Sequence, residues 1–132
     1  MAVLSDILEA VRSMAEEAAG GTLQIGSLLP GESVALTLRG GNPEATFLSK
    51  GSANELRIML DGKAADQKAL LDTLDSIHRA LTQRTSYPET ETYQITNIIT
   101  VNHPFPDGYD ESRQLWEISS DLAVSFYYKK KG

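Results

Sequence analysis

Residues 116–128 alternate between large apolar and small or polar positions. Because successive side chains on a β-strand point to opposite faces, this pattern predicts a strand over residues 115–128 with one apolar face on a core. Ser120 is the single polar position in the apolar set. That set otherwise consists of Trp116, Ile118, Leu122, Val124, Phe126 and Tyr128.

The length of this segment is unusual. At ~3.3 Å per residue it spans roughly 43 Å, about twice a common strand length. We therefore expect it either to contain a bulge or to extend past its own domain and pair with another chain. Its predicted antiparallel neighbour is a strand over residues 93–102, where Tyr93, Ile95, Ile99 and Val101 share one face.

Two segments show helical spacing of apolar residues. The first predicts a helix over residues 3–19, which Gly20-Gly21 would end because glycine readily adopts the left-handed conformation. The second predicts a helix over residues 64–83, with Leu70, Leu74 and Ile77 in its apolar stripe. His78 borders that stripe, and we interpret it as a helix-edge histidine near the helix C-terminus rather than a catalyst.

Further alternating segments predict strands at residues 34–39, 45–48 and 54–60. Turn-forming residues predict that residues 22–30 are a connector, that residues 40–43 are a loop, that Lys50-Gly51-Ser52 is a turn and that Asp61-Gly62 ends a strand. The resulting order, α-β-β-β-α-β-β, predicts an α+β fold. Two helices would cover one face of an antiparallel sheet of about four to five strands, in a single domain over residues 1–132.

Residues 103–113 form an unusually long connection between the last two predicted strands. Two prolines stiffen this predicted loop. Either it exposes its aromatic rings as a contact surface, or it folds back over the sheet edge and buries them. Our candidate subunit or partner interface consists of Phe105, Asp107, Tyr109, Asp110, Glu111, Arg113 and Tyr127.

Composition and charge narrow the range of functions. Without cysteine, the chain has no disulfide, thiol catalyst or thiolate metal site. The net charge of −6 is the wrong sign for a typical free nucleic-acid binder, and we expect Lys129-Lys130-Lys131 to be a solvated tail. No apolar run reaches the ~18–20 residues needed to cross a bilayer, and we expect no signal peptide.

No catalytic motif is present: there is no HExxH, no dinucleotide fingerprint and no phosphate loop. Asp107, Asp110 and Glu111 lack the spacing of a calcium loop. A cryptic enzyme would need these three to converge with His103. We expect no catalytic residue, cofactor or metal, and hence no enzyme.

The chain resembles the minor capsid proteins of long-tailed bacteriophages, in particular the tail terminator (head–tail joining, tail completion) family. The resemblance covers about residues 30–130 and rests on the order of elements and the apolar positions rather than on a catalytic motif. The family's aromatic-x-Asp-Gly turn is replaced here by Phe47-Leu-Ser-Lys-Gly51. The matching segments are Val34–Leu38 with Gly41-Asn-Pro43, Glu55–Leu60, Asp66-Gln67 with the helix Lys68–Leu81, and Trp116–Tyr128.

This resemblance implies a structural virion protein that caps the tail tube as a ring, commonly of six subunits, and provides the surface for head attachment. It implies as partners further copies of the chain, the tail tube protein and head connector proteins. DNA would pass without specific binding, and no membrane would be involved. The protein would be made in the host cytoplasm, in a phage or prophage setting. The competing hypothesis is a small non-enzymatic module that binds a ligand or peptide in a concave apolar pocket.

Overall fold

A computed structural model describes residues 3–42 and 53–129. Two helices pack on one face of a five-stranded sheet with strand order β1-β2-β3-β5-β4, which confirms the predicted α+β class and the order α-β-β-β-α-β-β. None of the described helices is long and apolar enough to cross a membrane. The elements are α1 (Val3–Ala19), β1 (Gln24–Ile25), β2 (Ser33–Asn42), β3 (Ala53–Ala64), α2 (Gln67–Thr82), β4 (Tyr93–Asp110) and β5 (Leu115–Tyr128).

The long strand β5 lies inside the sheet and pairs antiparallel with β3 on one side and β4 on the other. Trp116 near one end faces Ala64 and Tyr109, and Phe126 near the other end faces Asn54 and Ile95. The expectation that β5 is bulged or pairs outside its own domain is therefore wrong. β5 pairs with strands of its own chain from one end to the other. The extra residues that shift the register belong to β4.

The core lies between the helices and the apolar face of the sheet. It is one continuous cluster of buried side chains, which excludes water from α1, α2 and the central strands together. Its fully buried large members are Ile7, Leu23, Leu36, Ile58, Leu60, Leu74, Ile77, Leu81, Ile95, Ile98, Ile118 and Leu122.

The first helix has its predicted bounds, and Gly20 after it has a φ of 72°. The second begins at Gln67, three residues later than predicted, because Asp66 caps it. The Asp66 side chain accepts a hydrogen bond from the Ala69 N–H at 3.0 Å, which satisfies one of the unpaired donors of the first turn.

Strand β3 continues through Asp61-Gly62 to Ala64, so the predicted end of this strand is wrong. Gly62 has a packing role: a Cβ at this position would lie 2.6 Å from Leu70 Cδ1. The glycine therefore allows α2 to approach the sheet closely. The prediction of a loop over residues 40–43 is also wrong for residues 40–42, which the structure describes as part of β2.

The predicted connector over residues 22–30 contains the short strand β1, which the sequence analysis missed. Gln24 and Ile25 pair parallel to Ala35 and Leu36 of β2. The sheet is therefore mixed rather than wholly antiparallel. The predicted strand at 45–48 and the turn at Lys50-Gly51-Ser52 lie outside the described residues. The three described strands before α2 are therefore β1, β2 and β3.

Leu74→Asp tests the position of the core. Leu74 is fully buried, so an aspartate there would be an unpaired charge among apolar side chains. We expect the free energy of unfolding to fall by at least ~4 kcal/mol in urea titrations, enough to unfold a domain of ordinary stability. The control is Ser76→Asp, at an exposed position of the same helix, which should change stability by about 0.5 kcal/mol or less. Equal stability of the two variants would contradict this core.

Candidate functional site

The predicted loop over residues 103–113 is mostly strand. β4 continues to Asp110 and pairs with the first part of β5, which corrects the predicted strand end at residue 102. Register shifts, including one between Asn102 and Phe105, absorb the extra residues of β4. Proline cannot donate to a ladder, and Pro104 and Pro106 are tolerated because β4 is an edge strand. The connection that remains is a four-residue turn, 111–114, in which Gln114 has a φ of 57°.

Phe105 and Tyr109 are both exposed, each at 45% of its surface. The alternative in which the segment folds back and buries both rings is therefore wrong. Phe105 pairs with Ser119 on the face of the sheet opposite the helices, called here the open face. Tyr109 lies on the helix side and packs against Trp116, with ring centroids 4.8 Å apart. The two rings therefore cannot contact one flat surface together.

The turn 111–114 is organised by Asp110. Its carboxylate accepts hydrogen bonds from the backbone N–H and hydroxyl of Ser112 and from the backbone N–H of Arg113. These bonds, with the Ser112 hydroxyl contributing most, lower the pKa of Asp110 below its usual range. The Arg113 guanidinium also pairs with Asp110 at 3.5 Å. Glu111 stands exposed at the tip of this ordered turn.

A polar network on the open face ties β2, β4 and β5 together. Asp121 is largely buried and accepts hydrogen bonds from Arg39 at 2.9 Å and from the Asn102 amide at 2.6 Å. Because both partners come from other strands, sequence patterning alone gave no signal for this cluster. Paired in this way, Asp121 can be buried without the cost of an isolated charge.

A second carboxylate on the open face, Asp61, has a raised pKa. Burial is the main cause, and the nearby charges of Asp121 and Asp107 add to it. Asp107 accepts a hydrogen bond from the Ser119 hydroxyl at 3.0 Å. The charges of Asp107 and Asp121 therefore disfavour the ionised form of Asp61.

His78 lies between α2 and the sheet and is only 2% exposed, so its interpretation as a helix-edge residue is wrong. Its Nδ1 lies 2.8 Å from the Thr100 hydroxyl, and its Nε2 lies 2.8 Å from the Ser120 hydroxyl. Ser120 donates its own proton to the Leu60 carbonyl at 2.7 Å and so must accept from the histidine. The proton of neutral His78 is therefore on Nε2. This network also explains Ser120, the polar break in the apolar face of β5.

The groups that a cryptic enzyme would need do not converge. His103 lines a groove of about 240 Å³ with Leu71, Asp72 and Asp75 on the helix side. Asp107 bonds to Ser119 on the open face. Within residues 3–42 and 53–129, no group of three or more histidines and carboxylates is placed to hold a metal.

The last member of the candidate interface, Tyr127, lies apart from the others. Tyr127 pairs with Ala53 and Gln94 at the far end of the sheet from the turn. It therefore cannot belong to one continuous patch with residues 105–113. Elsewhere on the surface, an open groove of about 700 Å³ lies where α2 ends. We call it the α2 groove, and it is lined by Ser76, Arg79, Ala80, Gln83, Arg84, Thr85 and Ser86.

Comparison with known structures finds a likeness of fold. The fold is similar to that of a chain in the virion of a native gene transfer agent particle, with a TM-score of 0.67 and 13% sequence identity. The likeness covers 96% of this chain and 98% of the other. No family model and no curated protein matches the sequence. At this identity the likeness establishes a shared fold over nearly the whole length of both chains.

The buried His78 makes stability depend on pH. Burial lowers its pKa from 6.5 to about 4, with nearby His103 acting in the same direction and Asp75 and Asp121 against it. Below pH 6.5 the unfolded chain binds a proton that the folded chain does not, so stability is present above 6.5 and is lost as pH falls toward 4. We expect a loss of up to about 3 kcal/mol from this group between pH 7 and pH 4.

Urea unfolding at several pH values, on the original chain and on His78→Gln, measures this contribution. Glutamine keeps an amide donor but does not titrate, so the variant should be less stable at pH 7 and should lose less stability on acidification. The carboxylates titrate in both proteins, so their contribution to the pH dependence of stability cancels in the comparison. Parallel pH profiles would show that His78 is not the responsible group.

Proposed function

We propose that this chain is a structural, non-enzymatic virion protein at the head–tail junction of a long-tailed phage or prophage. In this role it caps the tail tube as a ring and provides the surface for head attachment. Its partners would be further copies of itself, the tail tube protein and head connector proteins.

The likeness to a chain of a gene transfer agent virion is the observation that carries the proposal. Such particles are phage-like, and the likeness includes nearly all of both chains rather than one common motif. It agrees in kind with the resemblance to tail terminator proteins, which rests on the order of elements and apolar positions. The structure has that order. Fold alone does not fix function, so the place within the virion is the part that needs testing.

Charge supports a ring through which DNA passes. Six copies at −6 each would carry a net charge of about −36. A surface of this sign repels phosphates, which favours passage without specific binding. In the described residues most cations are already paired, including Arg39 with Asp121 and Arg57 with Glu55.

Light scattering coupled to size exclusion, over a range of concentrations and with purified tail tubes, tests this proposal. We expect a closed oligomer, or binding confined to tube ends visible by electron microscopy, since a cap needs a surface that a tube exposes only at its end. A strict monomer that ignores tubes would contradict the proposal. That result would favour the ligand-binding or peptide-binding module instead.

A double variant, Phe105→Ala with Tyr109→Ala, tests whether the hairpin formed by β4, the turn 111–114 and β5 is an assembly surface. Both rings are half exposed, so we expect the monomer to stay folded and to lose at most about 1.5 kcal/mol, mainly from the Tyr109–Trp116 contact. Assembly with itself or with tubes should weaken.

The matched control is Leu4→Ala, which removes an apolar side chain of similar exposure from α1 and should leave assembly unchanged. Thermal unfolding gives the second readout. If the double variant lost as much stability as Leu74→Asp, the two rings would belong to the core and the interface prediction would be wrong.

A further inference from the structure

The turn 111–114 and the α2 groove lie near opposite ends of α2. β3 ends at Ala64, which pairs with Trp116 beside the turn, and α2 begins three residues later. The helix then runs 16 residues, about 24 Å at ~1.5 Å per residue, across the sheet and away from the turn, and His78 in its second half contacts Thr100 and Ser120. One copy therefore cannot bring its own turn to its own groove.

The α2 groove has an uncompensated positive charge. Its lining holds two arginines and no carboxylate. Arg79 pairs with Asp75 of the previous helical turn, but Arg84 has no carboxylate within ion-pair distance among the described residues. The Arg84 Nε donates to the Ser86 carbonyl at 3.0 Å, which fixes the guanidinium at the groove. Its terminal N–H groups remain available to an incoming carboxylate.

The turn carries the complementary charge. Glu111 is exposed and forms no ion pair with any described cation, in contrast to Asp110, which pairs with Arg113. The bonds that Asp110 accepts hold the turn in one conformation, so little conformational entropy would be lost on docking. A turn with an unpaired glutamate and a groove with an unpaired arginine are thus present on the same chain, among the residues that the structure describes.

We propose that the turn 111–114 of one copy docks in the α2 groove of a second copy, with Glu111 paired to Arg84. The contact is heterologous, because two different surfaces meet. Heterologous contacts repeat from copy to copy and form a closed ring when the rotation between copies closes. This inference rests on the proposed function and specifies which surfaces of neighbouring subunits would meet.

Charge reversal tests the pairing. Glu111→Lys or Arg84→Glu alone places like charges together, and we expect each to weaken self-association at least about tenfold. The double variant places the positive charge on the turn and the negative charge in the groove. Opposite charges then meet again, and most of the association should be recovered. Association of the original chain should also weaken as ionic strength rises, since this contact lies near the surface. Sedimentation equilibrium at two salt concentrations, with circular dichroism to confirm folding, gives these readouts.

Two matched controls carry the same charge changes elsewhere. Glu17→Lys lies on the exposed side of α1, and Lys68→Glu lies on an exposed position of α2 outside the groove. Neither should alter self-association by more than a small factor. An effect equal to that of Glu111→Lys would show that net charge, rather than this contact, controls assembly, and would overturn the proposal.

The remaining outcomes separate the two proposals. If the original chain stays monomeric alone and with tail tubes, the proposed function and the docking contact both fail. If the chain assembles but both single reversals leave assembly unchanged, the docking contact fails and the proposed function stands. If each single reversal weakens assembly and the double variant does not restore it, the Glu111–Arg84 pairing is wrong.

Discussion

Burial of one face of β5 beneath the helices is the constraint on which the rest of the structure depends. Ile118, Leu122 and Val124 belong to the same buried cluster as Leu74 and Ile77 of α2. Because β5 also pairs on both edges, this burial fixes the positions of β3 and β4. The other face of the sheet is thereby left open, and the turn 111–114 lies at the start of β5.

Local pattern predicted the elements whose structure depends on near neighbours. The bounds of α1 follow from helical spacing and Gly20, and the alternation of residues 116–128 predicted β5. The failures depend on distant partners. Ser120 could not be explained from sequence because its partner His78 lies 42 residues away. Gly62 signals a turn locally, whereas pairing with Val34 and Ile118 keeps it inside β3. β4 extends through two prolines because an edge strand tolerates them.

The candidate interface was predicted in part by residue type but not by geometry. Exposure of Phe105 and Tyr109 followed from one of two open alternatives, but their placement on opposite faces depends on register shifts that no composition reveals. Tyr127 lies at the other end of the sheet. Arg84 was not a candidate, since an arginine after a helix is unremarkable until the structure shows a groove around it. The docking contact that we propose would repeat from copy to copy, as a ring subunit requires.

The most direct test of the central claim is the length distribution of tail tubes grown from purified tube protein, measured by electron microscopy with and without this chain. A protein that caps tubes as a ring should stop growth when present at far fewer copies than tube subunits, giving shorter tubes with density at one end. Tubes of unchanged length and bare ends, at concentrations where the chain is folded, would contradict the account.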